Sequence, residues 1–251
     1  MTKATPKHLP AGVSIAIDSL DILGEGPWWS TQSQSLWRVD MDRKLLHRWC
    51  KKDDSHRQWQ LPQKVGCFVP NLAETAGVVA LPDGLYWLEL EDNKLSQIAE
   101  LEADLPKNIF NDGKCDRRGN FWVGSKHIDN AEASGNLYKI TRDCQVTLMH
   151  EGIGVSNGIG WSPNNEICYH TDSFRKTIWA IKFDEDSIIT KDIFVKDEIG
   201  YPDGLTVDSE GFVWSAKWDG GRVVRYSPSG EIDFELKLPI SRPTSVMFGG
   251  K

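Results

Sequence analysis

Apolar and polar residues alternate along most of this chain in short runs, and the runs are separated by turns rich in Gly, Asp, Asn and Pro. The pattern is clearest from Tyr201 to Pro228. There Gly204-Leu205-Thr206-Val207 alternates, Asp208 to Gly211 supplies a turn, and Phe212 to Ser215 is rich in β-formers. Gly220-Gly221 turns again, and Arg222 to Tyr226 makes a third run before Ser227-Pro228 ends it. Period-two alternation broken by turn chemistry predicts β-strands joined by tight connections. The stretch from Asn111 repeats this order, with its turn at Arg117 to Asn120. So does the stretch from Ser156, with its turn at Pro163 to Glu166. No helical period is sustained anywhere, so the fold class is all-β.

Three of the repeats open with an oxygen-bearing side chain followed by glycine. Asp112-Gly113, Asn157-Gly158 and Asp203-Gly204 recur at intervals of about 45 residues, and Glu25-Gly26 lies two periods upstream of Asp112. A β-sandwich would alternate in the same way but would not repeat at this interval. The eleven tryptophans suit a β-propeller, whose blades pack bulky rings between neighbouring sheets. The expected blades lie near 25–60, 65–101, 111–155, 156–200 and 202–240, within one domain spanning 1–251. A sixth blade is expected to begin at Arg242, with Val13–Leu20 as its outer strand and two middle strands missing. The prediction is thus a six-bladed propeller with an incomplete sixth blade. An unpaired inner strand at Thr244–Phe248 would then invite self-association.

Composition narrows the function. With 29 basic and 36 acidic residues, the net charge of −7 and the absence of a dense basic cluster exclude a phosphate-tracking role on nucleic acid. Lys51-Lys52 runs straight into Asp53-Asp54 and reads as a solvated turn. No apolar run has the length of a signal peptide core or a membrane span. The five cysteines are scattered, without Cys-x-x-Cys pairs, and read as buried thiols in a cytoplasmic protein.

Several motifs carry less than they suggest. Gly154-Val155-Ser156-Asn157-Gly158 matches the serine-hydrolase pattern G-x-S-x-G, but a short strand and a turn follow it where the strained elbow needs a helix. The pairs Asp40/Asp42 and Asp184/Asp186 lack the glycine and glutamate of an EF-hand and read as exposed turn carboxylates. No histidine spacing suits zinc, and His127 and His170 read as surface or core residues near strand ends. Glu25, Asn157 and Asp203 stand out because each precedes the first, innermost strand of a repeat. Equivalent positions in a propeller share one height around the axis. Two carboxylates and an amide there would suit a divalent cation with all-oxygen ligation, Ca²⁺, Mg²⁺ or Mn²⁺. The repeat geometry adds Asp112 as a weaker candidate.

The pieces LGEGPWW (Leu23–Trp29), FNDGKCD (Phe110–Asp116), SNGIGWSP (Ser156–Pro163), YPDGLTVDSEGFVWSA (Tyr201–Ala216), GGRVVRYSPSG (Gly220–Gly230) and RPTSVMFGG (Arg242–Gly250) follow one another in this order. In sequence and spacing the chain resembles the SMP-30/gluconolactonase family, which includes regucalcin and sugar lactonases. The resemblance implies a six-bladed propeller with one catalytic divalent metal on its axis, held by Glu25, Asn157 and Asp203. It implies that Asn111 contacts substrate. Ca²⁺ comes first among the implied metals, with Zn, Mg, Mn or Fe as the others. Departures fall in the implied substrate pocket. Ile109 stands where many sugar lactonases have arginine, Lys126 stands where methionine is frequent, and Asp129 is the nearest counterpart of an acidic substrate contact. Family members also continue for two further strands past the motif that ends here at Gly250.

The function expected is metal-dependent hydrolysis of a sugar lactone or similar cyclic ester, with Asp203 both ligand and general base. The alternatives are a non-catalytic Ca²⁺-binding protein using the same ligands, and a truncated member with little activity.

Overall fold

The computed structural model describes residues 9–184 and 187–250, and within these the chain forms five four-stranded antiparallel sheets. Blade one comprises β1 (Gly24–Ser30), β2 (Ser35–Asp40), β3 (Leu45–Cys50) and β4 (His56–Gln60). Blade two comprises β5 (Cys67–Pro70), β6 (Ala76–Leu81), β7 (Gly84–Glu89) and β8 (Lys94–Glu100). Blade three follows with β9 (Asn108–Cys115), β10 (Phe121–His127), β11 (Gly135–Ile140) and β12 (Val146–Ile153). Blade four has β13 (Ser156–Trp161), β14 (Cys168–Asp172), β15 (Thr177–Phe183) and β16 (Ile188–Lys196). Blade five has β17 (Tyr201–Val207), β18 (Val213–Trp218), β19 (Arg222–Tyr226) and β20 (Ile232–Lys237). Each sheet is a meander in which chain order is spatial order. These bounds fall within a few residues of those read from the repeats.

Burial falls from the axis outward. β13 is buried at every position, whereas β4, β8 and β20 expose most of theirs. An inner strand meets neighbours on both faces and loses the polar–apolar alternation that outer strands keep. The inner strands approach so closely that side chains do not fit between them. A Cβ on Gly158 would lie 2.5 Å from the Leu205 nitrogen and 2.6 Å from the Asp203 oxygen. Gly113 would meet the Cys67 sulfur at 2.7 Å. Gly113, Gly158 and Gly204 are therefore spacers at close approaches between chain segments, at ordinary φ, whereas Gly26 has φ of 55° and room for a Cβ.

Four hydrophobic clusters fill the four interfaces between consecutive blades. Trp37, Leu46 and Trp59 pack on Phe68 and Val79 between blades one and two, with the Trp37 and Trp59 rings stacked 5.5 Å apart. Phe110 and Val123 meet Cys67 and Leu85 at the next interface, and Trp122 meets Trp161 at the third, 5.8 Å between ring centres. Tyr169 and Ile178 pack on Leu205 and Val224 between blades four and five.

Among the described residues no comparable cluster joins blade five to blade one. The expected sixth blade is not there. Residues 242–250 form no strand, and Val13–Leu20, also irregular, supplies no outer strand. The reason is that a lone segment without a second strand has no ladder to join. Its polar groups bond singly to the flanking blades. The Thr244 oxygen accepts from the Gly204 nitrogen at 2.7 Å, the Thr244 hydroxyl donates to the Gly24 oxygen at 2.6 Å, and the Trp29 indole donates to the Gly250 oxygen at 3.0 Å. The segment is a strap across the seam, and the unpaired inner edge expected at Thr244–Phe248 does not form.

Smaller expectations are also corrected. Asp40 is fully buried and accepts the Ile22 and Leu23 N–H groups, so it pins the entry to blade one instead of facing solvent. Asp184 is exposed; Asp186 lies outside the described residues. All five cysteines are free thiols, but only Cys67 and Cys168 are buried, while Cys144 is exposed. His127 and His170 are core residues. Among the described residues no helix is long and apolar enough to cross a membrane.

Candidate functional site

Four of the five inner strands carry a β-bulge, and each bulge falls on a residue singled out in the sequence. The register shifts between Glu25 and Trp28 in β1, between Ser156 and Ile159 in β13, and between Pro202 and Leu205 in β17. In β9 it skips Asn111 and Asp112. A bulge leaves residues outside the ladder and re-aims their side chains. The inner strand of blade two, β5, pairs without a shift and contributes nothing to the site.

The bulges bring Glu25, Asn111, Asn157 and Asp203 to one axial cavity of about 430 Å³. Leu23, Met41, Val155, Phe174, Tyr201 and Trp218 form its largely apolar walls, and Lys126, Asn130 and Ser173 complete the lining. A groove of about 510 Å³ lies far from the axis between blades three and four, without such a convergence. Asp112 behaves differently from the other four. It lines a separate cavity of about 190 Å³ on the opposite side of the floor, together with Lys114.

The floor is short of positive charge. Burial pushes the Glu25 carboxyl well above the usual range, and the charges of Asp203 and Asp112 add to this against the Gly26 N–H and Lys114. Asp203 is driven up in the same way, by burial and then by Asp112, while hydrogen bonds from Asn157 and Gly204 pull the other way. Burial also raises Asp112, opposed by Lys114 and the Gly113 N–H. The buried Lys114 ammonium donates to the Leu205 oxygen at 2.7 Å, so one internal cation faces this acidic group from below.

Two oxygens on the floor have no partner. Asp203 Oδ1 and Asn157 Oδ1 are buried and accept no hydrogen bond. The rest of each group is already engaged. Asn157 Nδ2 donates to Ser173 Oγ at 3.2 Å, and Ser173 in turn donates to the Pro202 oxygen at 2.6 Å. This fixes the amide with its oxygen turned away. Asn111 Nδ2 donates to the Ser156 oxygen at 2.8 Å, and Glu25 Oε2 accepts the Gly26 N–H at 2.9 Å. Unpartnered buried acceptors beside a carboxylate are the donor set of a hard cation. Among the described residues no three His, Cys, Asp or Glu side chains gather to hold a metal by themselves, and the axial set includes an amide. Ser173, Lys114 and Asn130 carry no signal in the repeat pattern and were not anticipated. Ile109 is buried in the blade, and the exposed Asp129 does not line the cavity.

Residues 23–251 match the SMP-30/Gluconolactonase/LRE-like region. The chain belongs to that family. It is 36% identical over 235 residues to a 6-deoxy-6-sulfogluconolactonase of Pseudomonas putida, covering 92% of this chain and 80% of the relative. An L-arabinolactonase of Azospirillum brasilense is 31% identical over 250 residues, covering 96% and 83% respectively. Among solved structures, a calcium-binding regucalcin of Agrobacterium tumefaciens superposes with a TM-score of 0.85 at 26% identity, covering 91% of this chain and 78% of that one.

The G-x-S-x-G serine lines none of the cavities described above. Ser156 Oγ lies 2.8 Å from His170 Nε2, but both residues are wholly shielded from solvent. The pair sits behind Asn157 as core. Burial pushes the His170 imidazole down to about 3, with His150 contributing next. In the unfolded chain it titrates near 6.5, so between these values the unfolded state binds the extra proton. Stability drawn from the neutral ring is therefore present above pH 6.5 and lost as pH falls. Relative to wild type, a His170→Gln variant should gain melting temperature steadily from pH 7 to pH 4. A constant gap across that range would show that the ring is not held neutral.

Proposed function

We propose that this protein is a divalent-metal-dependent hydrolase of a sugar lactone or similar cyclic ester. Family membership and the lactonase relatives support a lactone-hydrolysing enzyme. The observation that carries the metal is the pair of unpartnered oxygens on Asn157 and Asp203, beside a Glu25 carboxyl whose pKa burial and like charge push well up. Glu25, Asn157 and Asp203 would hold the ion. Ca²⁺ is the first choice, because all-oxygen ligation suits it, ahead of Zn, Mg, Mn or Fe. A divalent ion there supplies Lewis acidity toward a carbonyl and lowers the pKa of water.

The chain's own residues do the rest. Asp203 Oδ1 faces the cavity with no competing donor, so it is positioned to take a proton from water. Asn111, its amide nitrogen tied to Ser156, presents its oxygen to a sugar hydroxyl. Ser173 orients Asn157 through its hydrogen bond to Nδ2. Phe174, Tyr201 and Trp218 give the sugar ring an apolar wall and limit water at the floor. The Pseudomonas putida relative is named for a lactone that bears a sulfonate. The free thiols and the acidic balance fit a small-molecule enzyme of the cytoplasm, with no nucleic-acid or membrane partner.

The test is proton release from glucono-, arabino- and related aldonolactones, before and after EDTA and after return of single metals. Turnover should vanish with chelation and return with one preferred ion. Turnover that resists EDTA removes the metal from the mechanism. A protein that binds Ca²⁺ but turns over no lactone instead supports a non-catalytic role, the reading favoured by the likeness to the calcium-binding regucalcin.

A further inference from the structure

The cavity has two chemically distinct ends. Its floor gathers the carboxylates, and its wall carries a single cation, Lys126, among the described lining residues. Lys126 lies near the end of β10 and bridges to Val155 of the next blade, which places it above the inner strands. Lys126 is half-buried as a residue, and no carboxylate lies within ion-pair distance of its ammonium among the described residues. The neighbouring charges act on it only at a distance. Lys64 is paired to Asp42 at 2.7 Å, and Asp129 and Asp42 attract the Lys126 ammonium only from beyond ion-pair distance, Asp129 being exposed and outside the cavity lining.

The one polar contact of the ammonium is with Asn130 Oδ1, at 2.8 Å. Asn130 lies in the turn after β10 with φ of 54°, a conformation asparagine tolerates better than most residues. Asn130 lines the cavity beside Lys126, and its amide nitrogen remains a donor that the contact with the ammonium does not use. An ammonium and an amide N–H₂, side by side above a cation-binding floor, form a small oxyanion seat. A neutral polyol could be held by hydroxyls and amides without the cost of partly desolvating a charge. An anionic ligand offsets that cost through charge-assisted hydrogen bonds.

We propose that the substrate carries an anionic substituent, a sulfonate, phosphate or carboxylate remote from the lactone carbonyl, and that Lys126 with Asn130 binds it. This rests on the lactonase reading above and names the substrate class for the same site. Burial lowers the Lys126 pKa, with Lys64 contributing next, and an anion in the seat would reverse that shift.

The experiment compares kcat/KM for gluconolactone with that for its 6-sulfo and 6-phospho analogues and for the lactone of a hexaric acid. Wild type should favour at least one anionic lactone by at least about tenfold, the size of one charged hydrogen bond. The order among the three identifies the group. Lys126→Met should collapse the anionic-to-neutral ratio by about the same factor, and Lys126→Arg should recover most of it. Equal kcat/KM for neutral and anionic lactones, or a preference that survives Lys126→Met, overturns the proposal.

A binding measurement separates this failure from failure of the lactonase reading. Calorimetry with 6-deoxy-6-sulfoglucose, 6-phosphoglucose and glucuronate, none of them hydrolysable here, is compared with glucose on wild type and Lys126→Met. Lys126-dependent preference for an anionic sugar without turnover of any lactone keeps the seat and removes the hydrolase. Turnover of lactones without discrimination by charge keeps the hydrolase and removes the seat. Neither turnover nor charge preference removes both.

Discussion

Asp203→Asn should abolish lactone hydrolysis, lowering the rate by about 10²–10⁴-fold from loss of the base alone. The amide keeps the shape of the side chain but cannot accept the proton, and it weakens the hold on a cation. The fold should not suffer. Asp203 shares its surroundings with Glu25 and Asp112: Asp203 and Asp112 both raise the Glu25 pKa, and Asp112 raises that of Asp203. Removing one charge relieves that repulsion, so the melting temperature in EDTA should stay the same or rise. An active Asp203→Asn enzyme would rule out its assignment as base. Loss of activity together with a fall in melting temperature would assign the residue to folding instead.

The largest expected effect on stability lies outside the cavity. Lys217 is wholly buried, with Nζ 2.7 Å from Asp197 and 3.0 Å from Ser215 Oγ. Tyr226 donates to the other Asp197 oxygen at 3.0 Å, and the ammonium lies 4.9 Å from that ring. Desolvation pulls the lysine down to about 8 against the attraction of Asp197. Removing one partner of such a pair leaves an uncompensated charge and costs about 3–5 kcal/mol. Asp197→Ala should therefore lower the melting temperature by roughly 6–20 °C for a chain of this size. A Lys217→Met, Asp197→Leu double variant should recover most of the loss, since apolar side chains can replace a buried pair. Calorimetric melts of the three proteins decide it: a double variant no more stable than Asp197→Ala would show that the pair does more than balance charge.

The blades were legible because each turn announces itself. Asp116 and Asp208 show why. Each accepts backbone N–H groups of its turn and then the indole N–H of a tryptophan six residues on, Trp122 or Trp214. That arrangement recurs two repeat intervals apart, in blades three and five, and leaves a readable trace. The common cavity of Glu25, Asn157 and Asp203 was legible for the same reason, since one position per repeat stays at one height, whereas Asn111 entered only through the family resemblance.

What failed were inferences that alternation cannot support. Asn111 and Asp112 are adjacent in sequence but serve opposite cavities, because a bulge breaks the register there, and no residue pattern announces it. The sixth blade was extrapolated from a period, which says nothing about whether the next segment finds a strand to pair with. Asp40 shows the same limit: a turn carboxylate and a buried N–H acceptor have the same letter. Ser173, acting through Asn157, left no trace because only the fold makes them neighbours.

The strap also governs the order in which this molecule can assemble. Every strand pairs with the one next to it in the chain, so each blade can form from local contacts as it is synthesised, a topology that folds quickly. The hydrogen bond from Thr244 to Gly24 is of another kind, joining positions 220 residues apart. It must form late, when the first blade has long been complete. Gly24 adjoins Glu25, and Gly204, the other anchor of Thr244, adjoins Asp203. The two carboxylates proposed to share a cation thus lie beside the last junction to close. A nascent chain can display nearly all of its sheet structure while the floor of the cavity is still unmade, so the proposed cation site would be whole only once the seam has closed.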